Sequence, residues 1–191
     1  MRMTLRIAAG IVAAVVGAMT GEPSASAQAL KLATLAAPHA DFAVDPQTGN
    51  LAATDPTAKK VVLYKLDAQS GGKTLTPIAE SAPFEGKPGY LVHKRTKAGS
   101  FFVLGMRKEG AVFLLDPSTL KEVGKIPIGT SSVNGLATCP LPDDRYVYYG
   151  GITKSNNYGC GRIDLEARQD QGFLLSHASD FDVSEIGRAH V

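Results

Sequence analysis

The chain has 191 residues, with 20 lysines and arginines against 18 aspartates and glutamates, and its formal net charge is +2. A near-neutral chain without a basic block gives no support for a nucleic acid or an anionic membrane surface as partner.

The first 27 residues have the pattern of a secretory signal. Two arginines come before the apolar stretch Ile7–Met19, and Ala25-Ser26-Ala27 forms a small-x-small cleavage site. The alternative is an uncleaved membrane anchor, but Gly21–Pro23 interrupts the apolar stretch before it reaches the length that spans a bilayer. The segment predicts cleavage before Gln28, a secreted or periplasmic protein, and no integral membrane segment in the mature chain.

After the signal, short apolar stretches alternate with turn residues, and no helical period links them. This pattern predicts antiparallel all-β structure. Three copies of one unit can be superimposed on their second strands, predicted at Asn50–Thr54, Ser100–Leu104 and Arg145–Tyr149. The third strands are predicted at Val61–Asp67, Val112–Asp116 and Arg162–Asp164.

The spacing of the units favours a β-propeller. The aspartates that end the third strands, Asp67, Asp116 and Asp164, fall 49 and 48 residues apart. A period in the high forties with about four strands per unit is typical of propeller blades. Asp180–Val183 resembles Asp41–Val44 and would begin a fourth copy. We therefore expect a partial propeller over residues 28–185, with about three four-stranded antiparallel blades and an incomplete ring.

The second and third units resemble the YVTN-type β-propeller repeat, a family that includes lactonase-like secreted propellers. The resemblance depends on Leu114, Leu115, Asp116, Thr119, Lys121, Val123, Ile126–Gly129, Gly135–Ala137, Pro140, Asp143 and Arg145–Tyr148. Where the family signature ends in Thr-Asn, this chain has Tyr149-Gly150. The resemblance implies a fold much more than an activity, because the repeats of this family build a scaffold.

The last six residues, Ile186–Val191, are not explained by the propeller repeat. One reverse translation of them, followed by a stop codon, is the start of a common sequencing adapter. We therefore predict that residues 186–191 are adapter-derived and that the natural protein continues past Ser184. The alternative is a natural polar tail.

The two cysteines, Cys139 and Cys160, would be exported to an oxidising compartment. A disulfide between them is one prediction. Two buried free thiols on non-adjacent strands are the other, because sequence spacing does not fix the geometry that a bridge requires.

A ligand site is predicted on one rim of the propeller. The loops between second and third strands share this rim with the connections between blades, and propeller ligands usually bind there near the axis. The candidate residues are Arg107, Glu109, Lys154, Asn156, Asn157 and Tyr158. The alternative is ordinary polarity of exposed loops. No metal site or cofactor is predicted, because the histidines are widely scattered.

Two classes of function stay open. The first is a binding or structural module, with an unknown protein or small-molecule ligand on the loop-bearing face. The second is a propeller enzyme, lactonase-like or quinoprotein-like, whose active-site residues lie mostly in later blades. Ser176, His177 and Asp180 offer the residue types of a hydrolytic triad, but neighbours in sequence rarely have triad geometry and no nucleophile elbow is present. The pattern favours binding.

Overall fold

The computed structural model describes residues 39–66, 75–138, 145–153 and 158–176. The predicted signal, the predicted tail and the start of the fourth repeat lie outside these ranges. The described residues form the strands β1 (Phe42–Val44), β2 (Leu51–Asp55), β3 (Lys60–Leu66), β4 (Leu75–Glu80), β5 (Lys87–Thr96), β6 (Gly99–Arg107), β7 (Ala111–Leu115), β8 (Glu122–Pro127), β9 (Thr130–Thr138), β10 (Tyr146–Thr153), β11 (Tyr158–Asp164) and β12 (Gln169–Ser176).

The strands form three four-stranded antiparallel sheets, each built from four consecutive strands. We call them blade 1 (β1–β4), blade 2 (β5–β8) and blade 3 (β9–β12). Neighbouring strands are joined in sequence order, so each blade is a meander whose first strand is innermost. The predicted all-β fold with three blades is confirmed. None of the described residues belongs to a helix that could cross a membrane.

Three predicted strand boundaries were wrong by three residues or more. β6 continues to Arg107 instead of ending at Leu104. In blade 3 the third strand begins at Tyr158 instead of Arg162, and β10 continues to Thr153. The chain can stay in the sheet there because the β9–β10 pairing shifts register around Gly151, which absorbs the extra length in a bulge.

Four turns share one conformation. In each, an aspartate carboxylate accepts the backbone N–H of the second residue after it, and the fourth residue after it has positive φ. The carboxylate stabilises the turn by replacing backbone hydrogen-bond acceptors. The turns are Asp45–Gly49, Asp55–Lys59, Asp116–Leu120 and Asp164–Arg168. The predicted equivalence of Asp116 and Asp164 is thus confirmed, whereas Asp67 lies outside the described residues.

The described core has one layer between each pair of neighbouring blades, and a smaller third cluster in blade 1 formed by Leu51, Ala53, Val62 and Tyr64. Between blades 1 and 2, residues such as Leu63, Phe102 and Leu104 are fully buried. Between blades 2 and 3, Val103, Leu114 and Tyr149 are fully buried. Because side chains alternate along a strand, blade 2 is apolar on both faces.

The outermost strand of each blade pairs irregularly with its neighbour. Register shifts occur between Leu63 and Tyr64 in blade 1, between Leu114 and Leu115 in blade 2, and on both sides of Gly161 in blade 3. Each outer strand therefore carries a bulge or similar irregularity.

Candidate ligand-binding site on the connection-bearing rim

One rim of the three blades carries the β2–β3 and β6–β7 turns together with the β4–β5 and β8–β9 connections. We call it the connection-bearing rim. Turns and connections are hydrogen-bonded there: the Phe84 N–H donates to the Lys59 carbonyl at 2.8 Å, and the Ile128 N–H donates to the Gly110 carbonyl at 2.9 Å. The backbone of this rim is therefore held in place by the neighbouring loop.

Bulges occur near this rim in two consecutive blades, both between the first and second strands. In blade 2 the register of β5 and β6 shifts between Pro88 and Tyr90, and in blade 3 that of β9 and β10 shifts at Gly151. Gly89 is the extra residue in blade 2, and a Cβ at this position would lie 2.9 Å from Arg107 Cγ. Bulges are frequent beside functional sites, because they re-aim side chains.

Two cations face each other at the rim end of blade 2. Lys87 and Arg107 are directly opposite in the β5–β6 register, and both are exposed. Like charges directly opposite across a sheet destabilise it. In the registers of the described strands, no other pair places two like charges opposite each other.

The Arg107 guanidinium lies over the ring of Tyr90, with its carbon 5.5 Å from the ring centroid. This is a cation–π contact, which orients the guanidinium without occupying its N–H donors. Tyr90 packs against the apolar layer between blades 2 and 3, so Arg107 lies at the rim end of that layer.

The structure separates the two predicted blade 2 site residues. Arg107 is the last residue of β6 and lies over Tyr90. Glu109 lies in the turn, where its carboxylate is next to the Gly86 backbone and close to Met106, which belongs to the layer between blades 1 and 2. Arg107 and Glu109 therefore face different blades.

Of the predicted blade 3 site residues, only Tyr158 is described. It begins β11 opposite Ile152, and it is 58% exposed. Lys154, Asn156 and Asn157 lie outside the described residues. Tyr158 lies at the connection-bearing rim, as predicted, but in a strand.

Sequence reasoning missed Lys87 and Tyr90, which lie 20 and 17 positions before Arg107. They reach Arg107 only through the pairing of β5 with β6. The local signal was Pro88-Gly89, a dipeptide that breaks regular pairing near the start of β5.

Blade 3 packs against the face of blade 2 that carries Tyr90 and Arg107. Val133 of β9 packs on Gly105, where a Cβ would lie 2.6 Å from Val133 Cγ1 and 3.2 Å from Leu136 Cδ1. Gly105 pairs with Tyr90 across the β5–β6 register. Beside this contact, the Ser132 hydroxyl donates to Asn134 Oδ1 at 2.8 Å on the exposed edge of β9. The half-buried side chains of Tyr90 and Leu136 therefore provide apolar surface at the face of blade 2 that carries the two cations, whereas Val133 is fully buried. We call the region formed by Lys87, Tyr90, Arg107 and Leu136 the rim site.

The opposite rim holds a buried histidine. His93 Nε2 lies 2.8 Å from Ser100 Oγ and 3.5 Å from Asp45 Oδ1. Burial lowers the pKa of His93, which the Asp45 carboxylate partly offsets. Because serine and aspartate approach the same ring nitrogen, the three side chains do not have the geometry of a hydrolytic triad. This contact stabilises the junction of blades 1 and 2.

Only one of the two cysteines, Cys160, lies within the described residues. Cys160 is a buried cysteine on β11, opposite Gly150. Cys139 lies outside the described residues, so the predicted disulfide stays a prediction. Thr138, its neighbour in sequence, lies on β9 opposite Val147, and β10 separates it from β11.

Among the side chains that the structure describes, no group of three or more His, Cys, Asp or Glu residues could hold a metal ion.

Comparisons with known proteins support the fold. No protein-family model matches the chain, and no curated protein matches it. Among solved structures, it resembles the hydrazine synthase of Kuenenia stuttgartiensis, with a TM-score of 0.55 and 15% identity over 70% of this chain and 36% of that one. It also resembles the dihydro-heme d1 dehydrogenase NirN in complex with DHE, with a TM-score of 0.58 and 16% identity over 76% of this chain and 29% of that one.

These likenesses concern the fold alone, because the identities are low. The chain spans about a third of the length of the solved structures that it matches. Together with the three consecutive meanders, the comparisons show that the described residues form part of a β-propeller.

Proposed function

We propose that this chain is part of a secreted or periplasmic β-propeller of the YVTN type that binds a ligand at the connection-bearing rim. The observation that carries the proposal is the Lys87–Arg107 pair, which opposes two cations across one sheet at a bulge. A local arrangement that costs stability is typical of a functional site.

Binding is favoured over catalysis by the chemistry of the described rim residues. The cations and the Tyr90 ring can hold a ligand, but no base is hydrogen-bonded to a nucleophile among the described residues of the rim site. The one described Ser–His contact, Ser100 with His93, belongs to the opposite rim and is buried.

The experiment is a thermal-shift screen of small molecules against the full chain, followed by hydrogen-exchange mapping of each hit. We expect hits to protect the amides around Lys87–Leu91 and Arg107, and we expect the ligand to be recovered unchanged. Protection confined to the opposite rim would contradict the site, and conversion of the ligand would contradict the binding role.

A separate experiment tests the proposed export of the protein. The signal pattern supports export, with processing before Gln28. Expression of the full gene in a bacterial host, with N-terminal sequencing of the periplasmic fraction, should give a chain that starts at Gln28. Retention of Met1 in the cytoplasmic fraction would contradict export.

A further inference from the structure

Among the described residues, no acidic side chain forms an ion pair with the two cations of the rim site, Lys87 and Arg107. The observed pairs involve Lys60, His93 and Arg145 instead. The nearby Glu109 carboxylate faces Gly86 on the side of blade 1, whereas Arg107 lies over Tyr90 on the side of blade 3. Two positive charges thus stay adjacent without an acidic partner.

The geometry around the guanidinium is prepared for an oxyanion. The Arg107 guanidinium lies over the Tyr90 ring, and a cation–π contact uses none of its N–H donors. Gly89 has no side chain at the point where Arg107 crosses the bulge, which removes the nearest steric obstacle. An arginine fork of this kind matches the two oxygens of a carboxylate or a phosphate.

The apolar surroundings define the rest of the ligand. Tyr90 and Leu136 pack against the layer between blades 2 and 3 and stay half-buried, whereas Val133 is fully buried in that layer. A free inorganic anion would leave this surface unused, whereas an organic anion can cover it. Two adjacent cations also neutralise a dianion more completely than a monoanion.

We propose that the rim site binds an organic dianion, with its oxyanion groups at Lys87 and Arg107 and its apolar body against Tyr90 and Leu136. This inference depends on the proposed binding function and specifies its ligand class. The dianion is a dicarboxylate or a phosphate monoester, because both present paired oxygens to the same two side chains.

The experiment uses phthalate as the probe, with the full chain at low ionic strength because salt screens exposed charges. Calorimetric titrations compare it with phenyl phosphate, benzoate, inorganic phosphate and neutral phthalamide. We expect phthalate or phenyl phosphate to bind at least about tenfold tighter than benzoate, inorganic phosphate or phthalamide. Which of the two binds tighter decides between a dicarboxylate and a phosphate monoester.

Variants test the assignment. Arg107→Ala should weaken binding by about tenfold or more, and Arg107→Lys should give a smaller loss because it keeps the charge but not the fork. Lys87→Glu should abolish binding while it raises Tm by about 1–4 °C, since it converts a like-charge pair into an opposite-charge pair. The matched control is Lys65→Glu, an exposed lysine opposite Thr76 on β3, which should leave binding unchanged.

The outcomes separate the two proposals. Equal affinity for phthalate and phthalamide, or unchanged binding in Arg107→Ala and Lys87→Glu, would overturn the dianion assignment. If neutral screening hits still protect the connection-bearing rim in that case, the binding function stands. If no hit protects that rim, both proposals fail.

Discussion

The Tyr149 hydroxyl donates a hydrogen bond of 2.9 Å to Asp170 Oδ1. The Tyr149 ring fills the layer between blades 2 and 3, and Asp170 lies on the outer strand of blade 3. The other Asp170 oxygen accepts the Gly129 N–H at 2.9 Å from the connection that leaves blade 2. Asp170 therefore links the Tyr149 side chain and the β8–β9 connection to β12.

Replacing Asp170 should destabilise the protein. Asp170→Ala leaves the buried Tyr149 hydroxyl without an acceptor, and we expect the free energy of unfolding to fall by about 1–3 kcal/mol. Burial and the Asp170 charge raise the pKa of Tyr149, so the hydroxyl stays a donor. Denaturant unfolding in a double-mutant cycle with Tyr149→Phe measures the coupling. Equal losses in both backgrounds would show that the hydrogen bond contributes nothing.

Gly161 is required because the Tyr149 ring lies across it. The two residues are opposite each other in the β10–β11 register, and a Cβ on Gly161 would clash with the Tyr149 ring and with the Gly172 carbonyl. Gly161→Ala should cost about 1–3 kcal/mol through overpacking. Gly135→Ala is the matched control, because a Cβ there meets no atom within 4 Å. Thermal unfolding of both variants should show a lower Tm for the first alone, and a similar Tm for both would refute the explanation.

His93 should make stability depend on pH. Burial lowers the pKa of His93 in the folded state below its ordinary value of 6.5. The unfolded chain therefore binds the proton first as pH falls, and folded stability is lost from about pH 6.5 downward. The slope is at most about 1.4 kcal/mol per pH unit. Unfolding free energies between pH 8 and 5 should fall in the wild type and fall less in His93→Gln. Parallel curves would contradict this role.

The Asp45 carboxylate next to His93 affects folding stability in a separate, more acidic pH range. Burial raises the pKa of Asp45, but hydrogen bonds from Gln47 and Thr48 and the neighbouring His93 outweigh this effect and lower it below 3.8. Its stabilising contribution is complete above pH 3.8 and is lost only as pH falls through the lowered value. Asp45→Asn should therefore leave the slope between pH 6.5 and 5 largely in place.

Cys160 should be unreactive in the folded protein. Burial raises the pKa of this thiol to about 11, so the reactive thiolate is scarce at pH 8. In Cys139→Ser, a chromogenic disulfide reagent should react only after unfolding, and rapid reaction of the native variant would contradict the burial. In the wild type unfolded without reductant, two reactive thiols indicate no bridge and none indicates the predicted disulfide.

The blades could be predicted from the sequence because the residues that form each turn and the strand before it are adjacent in the chain. The turn at Asp116 and the strand that it ends are encoded by adjacent residues, and the same holds at Asp164. The rim site was not predictable in this way. Lys87 meets Arg107 only after β5 pairs with β6, and a one-residue bulge at Gly89 decides which side chains share that end of the sheet. Arg107 was named as a candidate because it is a charged residue beside a turn, whereas Tyr90 was not, because an aromatic residue inside a strand is indistinguishable in sequence from a core residue.

The irregular outer strands have a consequence for association between molecules. A regular edge offers hydrogen-bonding groups at even intervals, so that another chain can add to it indefinitely and form fibrils. Here the pairing of β4, β8 and β12 is interrupted near Tyr64, Leu115 and Gly161. An incoming strand would lose its alignment after a few residues, and growth would stop. The fold can therefore display three strand edges to solvent at high local concentration without seeding fibres of its own kind.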